Sequence, residues 1–72
     1  MKKIKKIKIR VNGKFKLIPD NYKISNLLKE LKIPLKKVAI ELNQEIIDKK
    51  RIGKIILKKS DNIEIVHFIG GG

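Results

Sequence analysis

The chain has 72 residues and a formal charge of +12, enough for one small domain and no more. With no cysteine and a single histidine, it excludes a disulfide, a thiolate metal site and a zinc site built from the usual ligands. No apolar run reaches the ~18 residues of a membrane span. The basic start MKKIKKIKIR alternates lysine with isoleucine instead of leading into the apolar stretch of a signal peptide. A cytoplasmic domain is expected, standing on an aliphatic core that fifteen isoleucines can supply.

Residues 7–11 read I-K-I-R-V. Ile7, Ile9 and Val11 point one way, Lys8 and Arg10 the other, the alternation of a half-buried strand. Asn12-Gly13 is a hairpin signal. The following K-F-K-L-I alternates again, with Phe15 and Leu17 on one face. Counting tests the register. A two-residue loop pairs Val11 with Lys14 and Ile9 with Lys16, which puts lysines on the apolar face, whereas an odd loop sets Ile9 opposite Phe15 or Leu17. A slip of one residue turns a whole face over. Burial therefore predicts a three-residue loop, with Gly13 left-handed in a G1-type bulge.

Pro19-Asp20-Asn21 reads as a turn. Ile24, Leu27, Leu28 and Leu31 then recur as one apolar helical stripe. The helix begins either in the Asn21–Lys23 region or at Ser25, and Pro34 disfavours helix at Ile33. A helix this short is marginal alone and needs a sheet to pack on. Val38, Ile40 and Leu42 share one face of a strand. Asn43-Gln44 forms a turn, and Glu45 to Ile47 a short partner strand. Residues 48–54 read as a loop or short helix, Ile55 to Leu57 as an edge segment and Lys58 to Asn62 as a polar turn. Ile63 to Ile69 is the last strand. If Ile63 and Ile65 face the helix, then Glu64, Val66 and Phe68 face away, and Val66 with Phe68 makes an apolar patch. The fold class is α+β, one helix laid across one sheet.

Catalytic chemistry is hard to assemble from this inventory. A nucleophile, a base and a group to orient the base are required. The chain offers His67, Ser25 and Ser60, with acids scattered singly, and none of the nucleotide-binding or hydrolase motifs. Glu45 and Asp48 read as a solvated pair. The reading is a non-enzyme with no metal site. A charge of this size attracts polyanions. However, the only arginines are Arg10 and Arg51, the only aromatics Phe15, Tyr22 and Phe68, and the lysines run along the whole chain. Specific nucleic-acid recognition is therefore not expected.

The C-terminal stretch Asn62-Ile63-Glu64-Ile65-Val66-His67-Phe68-Ile69-Gly70-Gly71-Gly72 resembles the end of the ThiS family of sulfur carriers. Leu42-Asn43-Gln44-Glu45-Ile46-Ile47 resembles that family's central hairpin, and the Ile24, Leu27, Leu28, Leu31 stripe its helix. The chain departs from the family pattern at Ile47-Asp48-Lys49, at Lys59-Ser60-Asp61, and at Lys23, where a capping threonine is usual. The resemblance implies a ubiquitin-like β-grasp fold, a mixed four- to five-stranded sheet with one main helix. That domain would cover residues 1–69, followed by a flexible tail, Gly70, Gly71 and Gly72.

The resemblance also implies a chemistry. The Gly72 carboxylate is adenylated by a ThiF-like adenylyltransferase that uses ATP, while the carrier itself binds no cofactor. A cysteine-desulfurase relay supplies sulfur, and the resulting thiocarboxylate is delivered to a ThiG-like thiazole synthase. Glycine, lacking Cβ, suits a tail that threads into narrow partner channels. Val66, Phe68 and Ile69 are the expected partner-binding residues. The alternatives are the small subunit of molybdopterin synthase, which shares the fold and a Gly-Gly end, and a basic nucleic-acid-binding β-grasp module.

Overall fold

Two stretches of alternating sequence meet at Asn12-Gly13, and the backbone there sets the first hairpin. In the computed structural model, which describes residues 5–68, β1 (Lys6–Val11) and β2 (Lys14–Pro19) are antiparallel. Asn12 and Gly13 have φ of 52° and 82°, the two positive values of a two-residue type I′ turn. Val11 opposes Lys14 and Ile9 opposes Lys16. This corrects the three-residue loop and G1 bulge expected from burial; only the left-handed Gly13 survives. The I′ turn matches the twist of its strands, and β2 is an outer strand of the sheet, where a lysine can lay its stem on apolar surface and keep its charge in water. The Lys16 ammonium does so, reaching the Glu30 carboxylate at 2.8 Å. Phe15 and Leu17 do share a face, but it is the uncovered one, where they are 66% and 59% exposed. Ile18 takes the core position in their place.

The helix α1 (Ile24–Glu30) starts at Lys23, whose backbone N–H donates to the Asn26 side-chain oxygen at 2.9 Å. That places its start in the Asn21–Lys23 region and leaves Ser25 inside the helix. Its end is closed by two hydrogen bonds, Lys32 N–H to the Lys29 carbonyl and Ile33 N–H to the Leu28 carbonyl, at 3.1 and 2.9 Å. This is the paired closure of a Schellman motif, with Lys32 at φ 57° where glycine is usual. The helix thus ends before Pro34 can act, and Leu31, at the C-cap, is half exposed and not part of the core.

A single 3-10 turn, Leu35–Lys37, leads into β3 (Val38–Leu42). Asn43 and Gln44, at φ 52° and 70°, turn the chain into β4 (Glu45–Ile46). A second 3-10 turn at Lys49–Arg51 falls in the stretch expected to be loop or short helix, and Ile56 makes only an isolated bridge to Lys23. The last strand, β5 (Asn62–His67), enters the middle of the sheet, giving the order β2-β1-β5-β3-β4. It runs parallel to β1 and antiparallel to β3. The sheet is mixed and five-stranded, with α1 across one face, the β-grasp arrangement. Ile69, the 69/70 boundary and the glycines Gly70, Gly71 and Gly72 lie outside the described residues.

One face of this sheet supplies the core. Ile9, Ile18, Ile40, Ile63 and Ile65 meet Ile24, Leu27 and Leu28 of the helix, and Leu57 and Ile52 close the end. Among the described residues no polar or charged side chain is buried. Fully burying each aliphatic side chain contributes about 1.5–3 kcal/mol, which is how a short chain without a staple folds.

Candidate functional site

The strand β5 carries the chain toward its C-terminal residues, and its alternation sorts two sets of side chains. Ile63 and Ile65 enter the core, as expected. Glu64, Val66 and Phe68 are on the other side, with Val66 53% and Phe68 47% exposed. The Phe68 N–H donates to the Lys37 carbonyl at 2.9 Å, extending the β3–β5 ladder one residue past His67. The Lys49 ammonium stands 5.4 Å from the centre of the Phe68 ring, a cation–aromatic contact that leaves about half of Phe68 in solvent. The expected partner residues Val66 and Phe68 are therefore fixed in place and accessible. Ile69, the third, lies outside the described residues.

The uncovered face extends this patch across β3 and β4. Val66 is opposite Ala39, Glu64 opposite Glu41, and Glu41 opposite Ile46. Among the described residues Ile46 is the most exposed large apolar side chain, at 76%. Sequence reading did not place Ile46 on this face. Counting outward from the two-residue Asn43-Gln44 turn would have found it, because that turn sets Leu42 against Glu45 and Glu41 against Ile46. This half of the face is thus apolar, with two carboxylates side by side at its middle.

The residues weighed for catalysis are not brought together. Ser25 is in α1, Ser60 in the turn before β5 and His67 at the far end of β5, and no hydrogen bond joins any two of them. Among the described residues no group of His, Asp and Glu is placed to hold a metal ion, and no helix is long and apolar enough to cross a membrane. The perturbed titratable groups are structural. Glu30 accepts from the Tyr22 hydroxyl at 2.6 Å while pairing with Lys16. The Lys16 ammonium, then the Tyr22 hydroxyl, hold its carboxyl below the ordinary value, and the same bond to Glu30 pushes the Tyr22 hydroxyl up. This triad ties the outer strand β2 to the helix.

Comparison with known proteins places this arrangement in a family. The ThiS family model matches residues 5–72. The chain is 43% identical over 65 residues to the sulfur carrier protein ThiS of Bacillus subtilis, covering 89% of this chain and 98% of that one. It is 36% identical over 66 residues to a thiazole synthase of Magnetococcus marinus, covering 92% of this chain. The chain spans 20% of the length of that thiazole synthase. Among solved structures, the crystal structure of the thiamine biosynthesis protein ThiS from Geobacter metallireducens superimposes with a TM-score of 0.80 at 29% identity, over 92% of this chain and all of that one.

Proposed function

Because the chain belongs to the ThiS family, we propose that it carries sulfur on the carboxylate of Gly72 and presents it to its partner enzymes across the Val66–Phe68 patch. It is a sulfur carrier of thiamine biosynthesis and not itself an enzyme. In this reading the carrier group is the free α-carboxylate of Gly72, and a carboxylate is a poor acyl donor. In the proposed cycle a carboxylate oxygen attacks the α-phosphorus of ATP on a ThiF-like adenylyltransferase and pyrophosphate leaves. The terminal sulfur of a persulfide on a cysteine-desulfurase relay then attacks the acyl carbon, and AMP leaves to give an acyl disulfide. A thiol reductant cleaves the S–S bond and ends in a disulfide with the relay sulfur, and a thiocarboxylate remains. Its sulfur is the nucleophile that a thiazole synthase accepts.

The observation that carries this reading is the pinned β5. Its ladder holds through the Phe68 N–H, which fixes the last described residue beside an exposed apolar patch. Exposed patches of this kind mark interaction surfaces, and aromatic residues are frequent anchors. A thiazole synthase as acceptor is supported by relatives in which a segment similar to this chain lies within a thiazole synthase polypeptide.

Two variants test the two parts separately. Deleting Gly71 and Gly72 should abolish sulfur loading by the matching adenylyltransferase and leave the melting temperature unchanged. Val66→Asp should lower kcat/KM for loading by about tenfold or more, the scale of losing one buried interface anchor. If the deletion variant still loads, the carrier site is not Gly72. If Val66→Asp loads normally, the patch is not the interface.

A further inference from the structure

The uncovered face of the sheet has a second half with the opposite character. Where β1 and β2 meet the turn before β5, a cleft of about 440 Å³ is lined by Lys8, Arg10, Phe15, Lys59, Ser60 and Asn62. Three of these carry positive charge and no carboxylate lines the cleft among the described residues. Among the described residues none of the three cations forms an ion pair. The volume lies in the range that holds a small organic ligand.

The cleft is built on regular structure. Arg10 is directly cross-strand from Phe15, and Lys8 is two residues back along β1. The Lys8 ammonium and the Arg10 guanidinium stand 5.0 and 4.9 Å from the centre of the Phe15 ring, so the ring positions both cations. Backbone bonds hold the opposite wall against β1. Ser60 N–H donates to the Lys8 carbonyl and Arg10 N–H to the Asp61 carbonyl, each at 2.9 Å. The Asp61 carboxylate braces the turn by accepting from Lys58 N–H at 2.7 Å and from the Asn43 side chain at 3.0 Å. The Asp61 carboxylate, between the lining residues Ser60 and Asn62 in the chain, is thus spent on holding the wall. Lys8 and Arg10 lie some fifty residues from Lys59 in the chain, so the grouping exists only in the fold.

We propose that this cleft binds a nucleotide-sized organic phosphate, with Lys8, Arg10 and Lys59 receiving the phosphate and the exposed Phe15 ring the flat organic part. Lysine and arginine are the phosphate-binding side chains, with arginine able to hold two oxygens at once. Ser60 and Asn62 add neutral hydrogen-bonding groups. An aromatic face takes planar rings by stacking. The cleft is on the β1–β2 side of the sheet and the Val66–Ile46 patch on the β5–β4 side, so the inference is independent of the carrier reading.

Backbone amide shifts in the full chain, measured by NMR at fixed ionic strength against AMP, inorganic phosphate, an oligothymidylate and a polyglutamate peptide, test it. AMP is expected to shift Lys8, Arg10, Lys59 and Ser60 saturably and to bind about tenfold more tightly than inorganic phosphate. Phe15→Ala should remove that advantage, and Arg10→Ala with Lys59→Ala should remove binding of both. These side chains are exposed, and an unchanged melting curve verifies the fold. Shifts scattered over lysines throughout the surface, or shifts unaffected by the double variant, would overturn the proposal. Tighter binding at the same residues by the polyglutamate peptide would assign the cleft to an acidic protein segment instead. Tighter binding by the oligothymidylate would assign it to nucleic acid. Either result removes the small-molecule site.

Discussion

The two hairpin turns that flank β5 begin with the same residue and end with different ones. Asn12 and Asn43 both sit at φ 52°, where asparagine is tolerated better than most residues. Each also trades two hydrogen bonds with β5. Asn12 donates its N–H to the Ile63 carbonyl at 3.0 Å and accepts from Ile65 N–H at 2.7 Å through its side chain. Asn43 donates its N–H to the Asn62 carbonyl at 2.8 Å and accepts from Asn62 N–H at 2.9 Å. In both turns the asparagine side chain imitates a backbone carbonyl just where a neighbouring strand ends. The second positions differ: Gly13 adopts its φ of 82° freely, while Gln44 holds 70° with a side chain attached. Both turns thus have a second task, which is to pin from either side the strand that leads to the C-terminal residues.

The comparison breaks most visibly at Asn12. Asn12→Ala leaves the partly buried Ile65 N–H without its acceptor and forces alanine to a positive φ, an expected loss of about 2–3 kcal/mol. Asn12→Gly removes only the acceptor, so the difference between the two variants in urea unfolding isolates the backbone contribution. Asn43→Ala should cost less, about 1–2 kcal/mol, because its side-chain bonds are exposed. Gly13→Ala meets open space but an unfavourable φ and should cost about 1 kcal/mol, a fall of roughly 4–8 °C in Tm for a domain this size. The reverse change in the other turn, Gln44→Gly, should stabilise by about 0.5–1 kcal/mol, as should Lys32→Gly at the helix end. A Gln44→Gly variant no more stable than the parent would mean that Gln44 gains something from its surroundings that Gly13 does not.

The smallest effect is expected away from both turns. The depressed Glu30 carboxyl contributes stability that is present above its ordinary value of 4.5 and lost as the pH falls through the lower folded value. Lys16→Met should therefore flatten the fall of Tm with acidification, while variants of the turns leave that slope alone.

Much of this was legible in the sequence, for reasons that are local. The alternation of Ile63 and Ile65 against Val66 and Phe68 sorted β5 correctly, since a strand with one buried face has only one register that works. The turns were marked by Asn12-Gly13 and Asn43-Gln44, and the helical stripe was right as far as Leu28. The first hairpin's register failed because burial was assumed uniform along the strand. An outer strand lets Lys16 run its stem past the core to Glu30, so the turn's own geometry prevails. The 3-10 turn at Leu35–Lys37 has too few residues to show a period. Ile46 was missed for want of a register count, and the basic cleft because its walls are distant in the chain. The chemistry proposed for Gly72 rests on the resemblance of the C-terminal motif alone, because the side chains offer no constellation from which to read it.

Intact-mass analysis of the protein after incubation with its adenylyltransferase, ATP and a sulfur donor tests the central claim most directly. The account predicts a gain equal to replacing one oxygen by sulfur, localised to the C-terminal peptide and absent when one alanine is added after Gly72. Equal loading of the extended chain, or a modification mapping to any other residue, would contradict it.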